Sequence, residues 1–160
     1  MSVPIAGGGT RYFESFEPGQ VFDLGRVLVT EEEIVDFARR YDPQPLHLSA
    51  EGGRQAGFGG LIASGWLTVG LVMRRFVDIV LLDTVSLGSP GVDEVHWLNP
   101  VRPGDWLSAT WTVVEARPSR SRPQMGIVRG RFDAATGPDT PVLRMVGVSL
   151  LGRDPAAPAS

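Results

Sequence analysis

Residues 61–82 form the longest apolar stretch of the chain, and four segments that alternate every second residue follow it with no helical pattern between them. A helix from Gly65 to about Leu82 would carry Val69, Val72, Met73, Phe76, Val77 and Val80 nearly all the way round. Such a helix has to be wrapped by the rest of the protein, which places Met73 and Phe76 in the core. The alternating segments are 92–98, 106–115, 126–133 and 141–151, separated by turn-forming clusters at 99–105, 117–123 and 134–139. In 106–115, Leu107, Ala109, Trp111 and Val113 oppose Ser108, Thr110 and Thr112, the pattern of a half-buried strand. Strands that follow one another without crossover helices pair antiparallel, here as a meander. The expected class is α+β: one long helix wrapped by an antiparallel sheet, or else a helix lying on one face of such a sheet.

The first third completes the pattern. Val21, Leu24, Val27 and Val29 mark a strand over 20–29 with an irregularity at Gly25. Thr30 and Glu33 have the spacing of a capping box, in which Thr30 caps the helix and Glu33 reaches back. That helix runs to Arg40 or Tyr41, and Pro43 and Pro45 stop it. Asp42 falls just past its end and His47 on the extended turn that follows. A short helical piece starts at Ser49, residues 58–60 form a loop, and Ser64 is placed to cap the long helix. One domain is expected over residues 11–152, between a flexible N-terminal segment, 1–10, and a flexible tail, 153–160.

Composition narrows the function. A net charge of −3 argues against a nucleic-acid binder. The absence of cysteine removes disulfides, thiolate metal sites and a cysteine nucleophile, and two histidines leave little for a metal site, so no metal and no cofactor are expected. Arg74, Arg75 and Asp78 interrupt the apolar stretch and argue against a membrane span. The N-terminus lacks the charged and apolar regions of a signal peptide, so a cytoplasmic protein is expected.

Against that background Asp42 and His47 stand out, five residues apart in a turn bounded by Pro43 and Pro45. Alone, Asp42 reads as an acid that ends a helix, and His47 as a structural histidine. Together, with Ser64-Gly65 opening the long helix downstream, they make an acid, a base and a helix N-terminus, which can move a proton beside a carbonyl. Ser64 reads as a cap rather than a nucleophile, because no Gly-x-Ser-x-Gly elbow surrounds it. The glycine runs lack a phosphate-loop lysine. Arg117, Arg120, Arg122, Arg129 and Arg131 read as a solvated basic hairpin, or alternatively as a contact for the phosphates of a ligand. His96 reads as a surface or interface residue, and Trp97, Trp106 and Trp111 as sheet-packing residues.

Asp42-Pro43-Gln44-Pro45-Leu46-His47, residues 58–66 and Pro100-Val101-Arg102-Pro103-Gly104-Asp105 resemble the MaoC-like dehydratases, relatives of (R)-specific enoyl-CoA hydratases with a hot-dog fold. The resemblance spans roughly residues 10 to 152. The family's motif reads Asp-x-Asn-Pro-Leu-His; Gln44 stands in place of the Asn, and Ser64-Gly65 in place of a frequent His-Gly. The resemblance implies that Asp42 and His47 handle the water, that the Gly65 amide holds the thioester oxygen, and that Ser64, Gln44 and Gly60 contact substrate. It also implies an acyl-CoA or acyl-carrier thioester as substrate and a homodimer, or a dimer of dimers. Two further readings stand beside it: a hot-dog thioesterase, and a non-catalytic acyl-binding subunit.

Overall fold

The computed structural model describes residues 10–157. Apart from Thr10, the N-terminal segment expected to be flexible lies outside the described residues, as do the last three residues of the tail. A 3₁₀ turn (Phe13–Ser15) leads into β1 (Val21–Leu28). Helices α1 (Glu31–Tyr41), α2 (Pro45–Leu48), α3 (Ala50–Gln55) and α4 (Gly65–Phe76) follow, and a π-helical turn (Val77–Leu81) continues α4. Four strands complete the fold: β2 (Ser86–Trp97), β3 (Trp106–Pro118), β4 (Met125–Gly137) and β5 (Thr140–Gly152).

All pairings are antiparallel, in the order β1-β3-β4-β5-β2. The sheet is therefore not a simple meander. Only β3, β4 and β5 follow in turn, while β1 and β2 lie at opposite edges because the helical segment between them crosses the sheet. One face of the sheet buries Phe22, Leu24, Trp111, Val128, Phe132 and Met145 in one core with Leu67, Leu71, Val72 and Phe76 of α4. The Phe76 ring packs on Trp111 at 4.8 Å and edge-on to Phe132 at 5.0 Å. This is the hot-dog arrangement expected from the periodicity.

Several sequence expectations need correcting. The helix is not apolar-buried all round: Met73 is 41% exposed, whereas Phe76 is buried. Trp111 is buried, but Trp97 and Trp106 are each 46% exposed. Arg26 lies over the Trp106 ring at 4.5 Å. Only half of the capping box forms: the Thr30 hydroxyl accepts from the Glu33 N–H, and among the described residues no return bond runs from the Glu33 side chain. Pro45 does not merely end α1; it occupies the first turn of α2, where its missing N–H costs nothing and its fixed φ suits a helix. His47 consequently sits on a helical turn rather than on extended backbone.

The irregularity at Gly25 is a bulge. The register of β1 against β3 shifts between Asp23 and Arg26, and Gly25 has φ +72°, a region that favours glycine. The bulge frees the Leu24 carbonyl to accept from Arg75 Nε at 2.8 Å, which ties α4 to the edge strand. Beyond β5 the chain stays attached: Arg153 pairs with Glu14 at 2.9 Å, and the Asp154 N–H donates to the same carboxylate.

Candidate active site

Three elements bring the site together. The end of α1 supplies Asp42, α2 supplies His47, and the start of α4 supplies Ser64 and Gly65. Asp42 leaves the helical conformation at φ −151°, ψ 64°, while its N–H still donates to the Ala38 carbonyl. That break turns its side chain toward α4.

His47 is 7% exposed. Its Nδ1 lies 2.9 Å from the Ile62 carbonyl. A carbonyl only accepts, so Nδ1 carries the proton, and Nε2 of the neutral ring is left with a lone pair. Nε2 lies 3.4 Å from Asp42 Oδ2. In the neutral ring these are two acceptors facing one another. A water that donates one hydrogen to each would satisfy both.

The Asp42 carboxylate is held at both oxygens. The Gln44 amide donates to Oδ1 at 2.7 Å, and the fully buried Ser64 hydroxyl donates to Oδ2 at 2.7 Å. The Gln44 bond, then the Ser64 bond, holds the carboxyl below the usual aspartate range, against the opposing effect of partial burial. Gln44 and Ser64, expected to contact substrate, each donate to Asp42. Ser64 also accepts from the Trp66 N–H at 3.3 Å, as a cap should.

Asp42, His47, Ser64 and Gly65 line one groove of 440 Å³, walled by Leu46, Phe58, Ile62, Trp97 and Val101. Gly60 does not line it; this glycine packs against Gly53 and lies beside Arg102. Gly65 begins α4, so its N–H has no helical acceptor, and none exists among the described residues. A side chain there would collide with the Trp97 indole, whose Cδ1 would lie 2.8 Å from an added Cβ. Thr68, one turn further along α4, also lines the groove and was not singled out in the sequence. Among the described residues no three His, Asp or Glu side chains are placed to hold a metal ion, and no helix is long and apolar enough to cross a membrane.

The basic cluster divides. Arg117 pairs with Glu115, Arg129 with Asp93 and Glu115, and Arg131 with Asp133. Arg117 and Arg120 line a second hollow of 820 Å³ at the β3–β4 turn, which contains no acid–imidazole pair. His96 is exposed and lies 3.1 Å from Glu94.

A carboxylate–imidazole pair thus stands beside a free amide at a helix start, inside a hot-dog fold. The family model described as a MaoC like domain matches residues 14–132, and the chain belongs to that family. The MaoC-like dehydratase of Rhodospirillum rubrum is 36% identical, covers 91% of this chain and 99% of its own, and superposes with a TM-score of 0.80. An uncharacterized Bacillus subtilis protein, YdeM, is 27% identical over 115 residues, which are 72% of this chain and 80% of YdeM. The R-hydratase PhaJ1 of Pseudomonas aeruginosa shares the fold at 23% identity and a TM-score of 0.65, covering 89% of this chain and 86% of its own.

Proposed function

We propose that the protein hydrates 2-enoyl thioesters, or dehydrates the corresponding 3-hydroxyacyl thioesters, with (R) stereochemistry. The observation that carries this reading is the apposition of Asp42 Oδ2 and His47 Nε2 at 3.4 Å in the groove that also holds the unpaired Gly65 N–H. In the hydration direction the water oxygen bonds to the β-carbon. The π electrons of the double bond shift to the thioester oxygen as an enolate. The dyad takes a proton from the water and returns one to the α-carbon, so neither atoms nor electrons are left over. Positioned acid–base groups contribute about 10²–10⁴ in rate. The Gly65 N–H, at the positive end of α4, stabilises the enolate oxygen, a donor worth on the order of 10²–10³.

Gln44 and Ser64 keep Asp42 charged and aimed, so their part is positioning. The substrate is an acyl-CoA or an acyl-carrier thioester. The working unit is a homodimer, or a dimer of such dimers, joined through the β2 edge; that strand is exposed at every residue but Val95 and offers Leu87 and Val92.

Hydration of crotonyl-CoA tests the reaction. Asp42→Asn and His47→Gln should each remove nearly all turnover while circular dichroism stays unchanged. Full activity in either variant would sink the mechanism, and release of free coenzyme A would support a thioesterase instead.

A further inference from the structure

One indole in the groove has a donor that the mechanism above does not use. Trp97 ends β2 and lays its ring on Gly65, close enough that only glycine fits there. A Cα–Cβ bond is about 1.5 Å long, so the contact places Nε1 within about 4 Å of the Gly65 Cα. Among the described residues no group accepts from this Nε1–H. Two other polar groups of the lining are already committed. Ser64 donates to Asp42, and Asn99 donates to the Pro141 carbonyl at 2.6 Å. The Thr68 hydroxyl lies one helical turn on, about 5 Å along the axis. The Trp66 ring also packs edge-on against it at 5.1 Å.

We propose that the Trp97 Nε1–H is the second donor to the thioester oxygen, completing with the Gly65 N–H a two-donor cradle for the enolate. Two donors converging on one oxygen stabilise its developing charge more than one alone, and a ring already packed against Gly65 and Trp66 needs little reorganisation as that charge grows. Gly65 then has a double part. It offers its own N–H, and by lacking a side chain it admits the ring that offers the other. This assignment rests on the acyl-thioester reading above.

The test uses the full chain. Trp97→Phe keeps a ring against Gly65 but removes the N–H. It should lower kcat for crotonyl-CoA by about 100-fold with little change in KM. Replacement of Trp97 by benzothienylalanine, which keeps the bicyclic shape without a donor, should give the same loss; it decides the matter if the Phe variant folds poorly. Unchanged kcat in a folded variant of either kind overturns the proposal.

An independent readout comes from the four tryptophans, whose four indole N–H signals are resolvable by ¹⁵N–¹H spectroscopy. Butyryl-CoA, which cannot be hydrated, should move the Trp97 signal downfield, and free coenzyme A should not. No downfield shift overturns the proposal whatever the activity. A downfield shift in a wild-type protein that fails to hydrate crotonyl-CoA would keep the Trp97 contact and refute the reaction, so the two readings fail separately.

Discussion

At the level of single residues, the site is organised around one carboxylate. Asp42 receives a donor at each oxygen, and the larger influence on its acidity is the Gln44 amide. The sign of the consequence follows. A carboxyl whose pKa is lowered on folding adds stability above its ordinary range, and that stability is lost as the pH falls from the ordinary range through the lowered value. Activity that needs the charged form fails in the same direction. Gln44→Leu should therefore shift the acid limb of the kcat/KM profile to higher pH and leave the basic limb in place. An acid limb that does not move would assign Gln44 to substrate contact after all. Gly65→Ala is a second test at this scale. The added methyl must displace the Trp97 ring, which should cost about 1–3 kcal/mol by overpacking, read as a drop in the urea midpoint. Asp42 and His47 were legible as a pair from spacing alone. The grip of Ser64 on Asp42 was not, because it joins residues 22 apart through a fold that spacing does not specify.

At the level of elements, legibility follows periodicity. β3 alternates cleanly and its start at Trp106 was expected, although it runs on to Pro118 rather than ending at Glu115, and the start of α4 was marked by Ser64. β2 was expected only from Val92, although it begins at Ser86. The missed half contains Gly88, Pro90 and Gly91, with positive φ at both glycines and repeated shifts of register against β5. Such breaks erase the period of two. α2 was missed because Pro45 reads equally as a stop and as a first-turn residue. Caps allow a controlled comparison between elements. Thr30→Ala removes the α1 cap and should cost about 1 kcal/mol, measured by urea unfolding, with kcat unchanged because Thr30 lies at the far end of α1 from Asp42. Ser64→Ala should cost a similar amount at α4 and in addition shift the acid limb, since it takes a donor from Asp42. Equal kinetic effects from both substitutions would mean that helix integrity, not the Asp42 bond, governs the site.

At the level of the whole molecule, the order of strands leaves β1 and β2 as the two edges, and they are not equivalent. β1 is the shorter, at eight residues, carries a bulge and is bound to α4 through Arg75. β2 spans twelve residues, with Leu87 51% and Val92 52% exposed. A long open edge carrying apolar side chains is a template for another strand unless something covers it. A second copy, added edge to edge, would continue the sheet and shield those side chains. The expected mass in solution by light scattering is accordingly twice the chain's 17.2 kDa, or a multiple of that pair. Val92→Lys places a charge in the middle of the edge and should convert the protein to single chains at micromolar concentration. Its circular dichroism should be retained, because Val92 takes no part in the buried core. A wild type that already runs as one chain would refute the dimer. A lysine variant that keeps the doubled mass would move the interface away from β2.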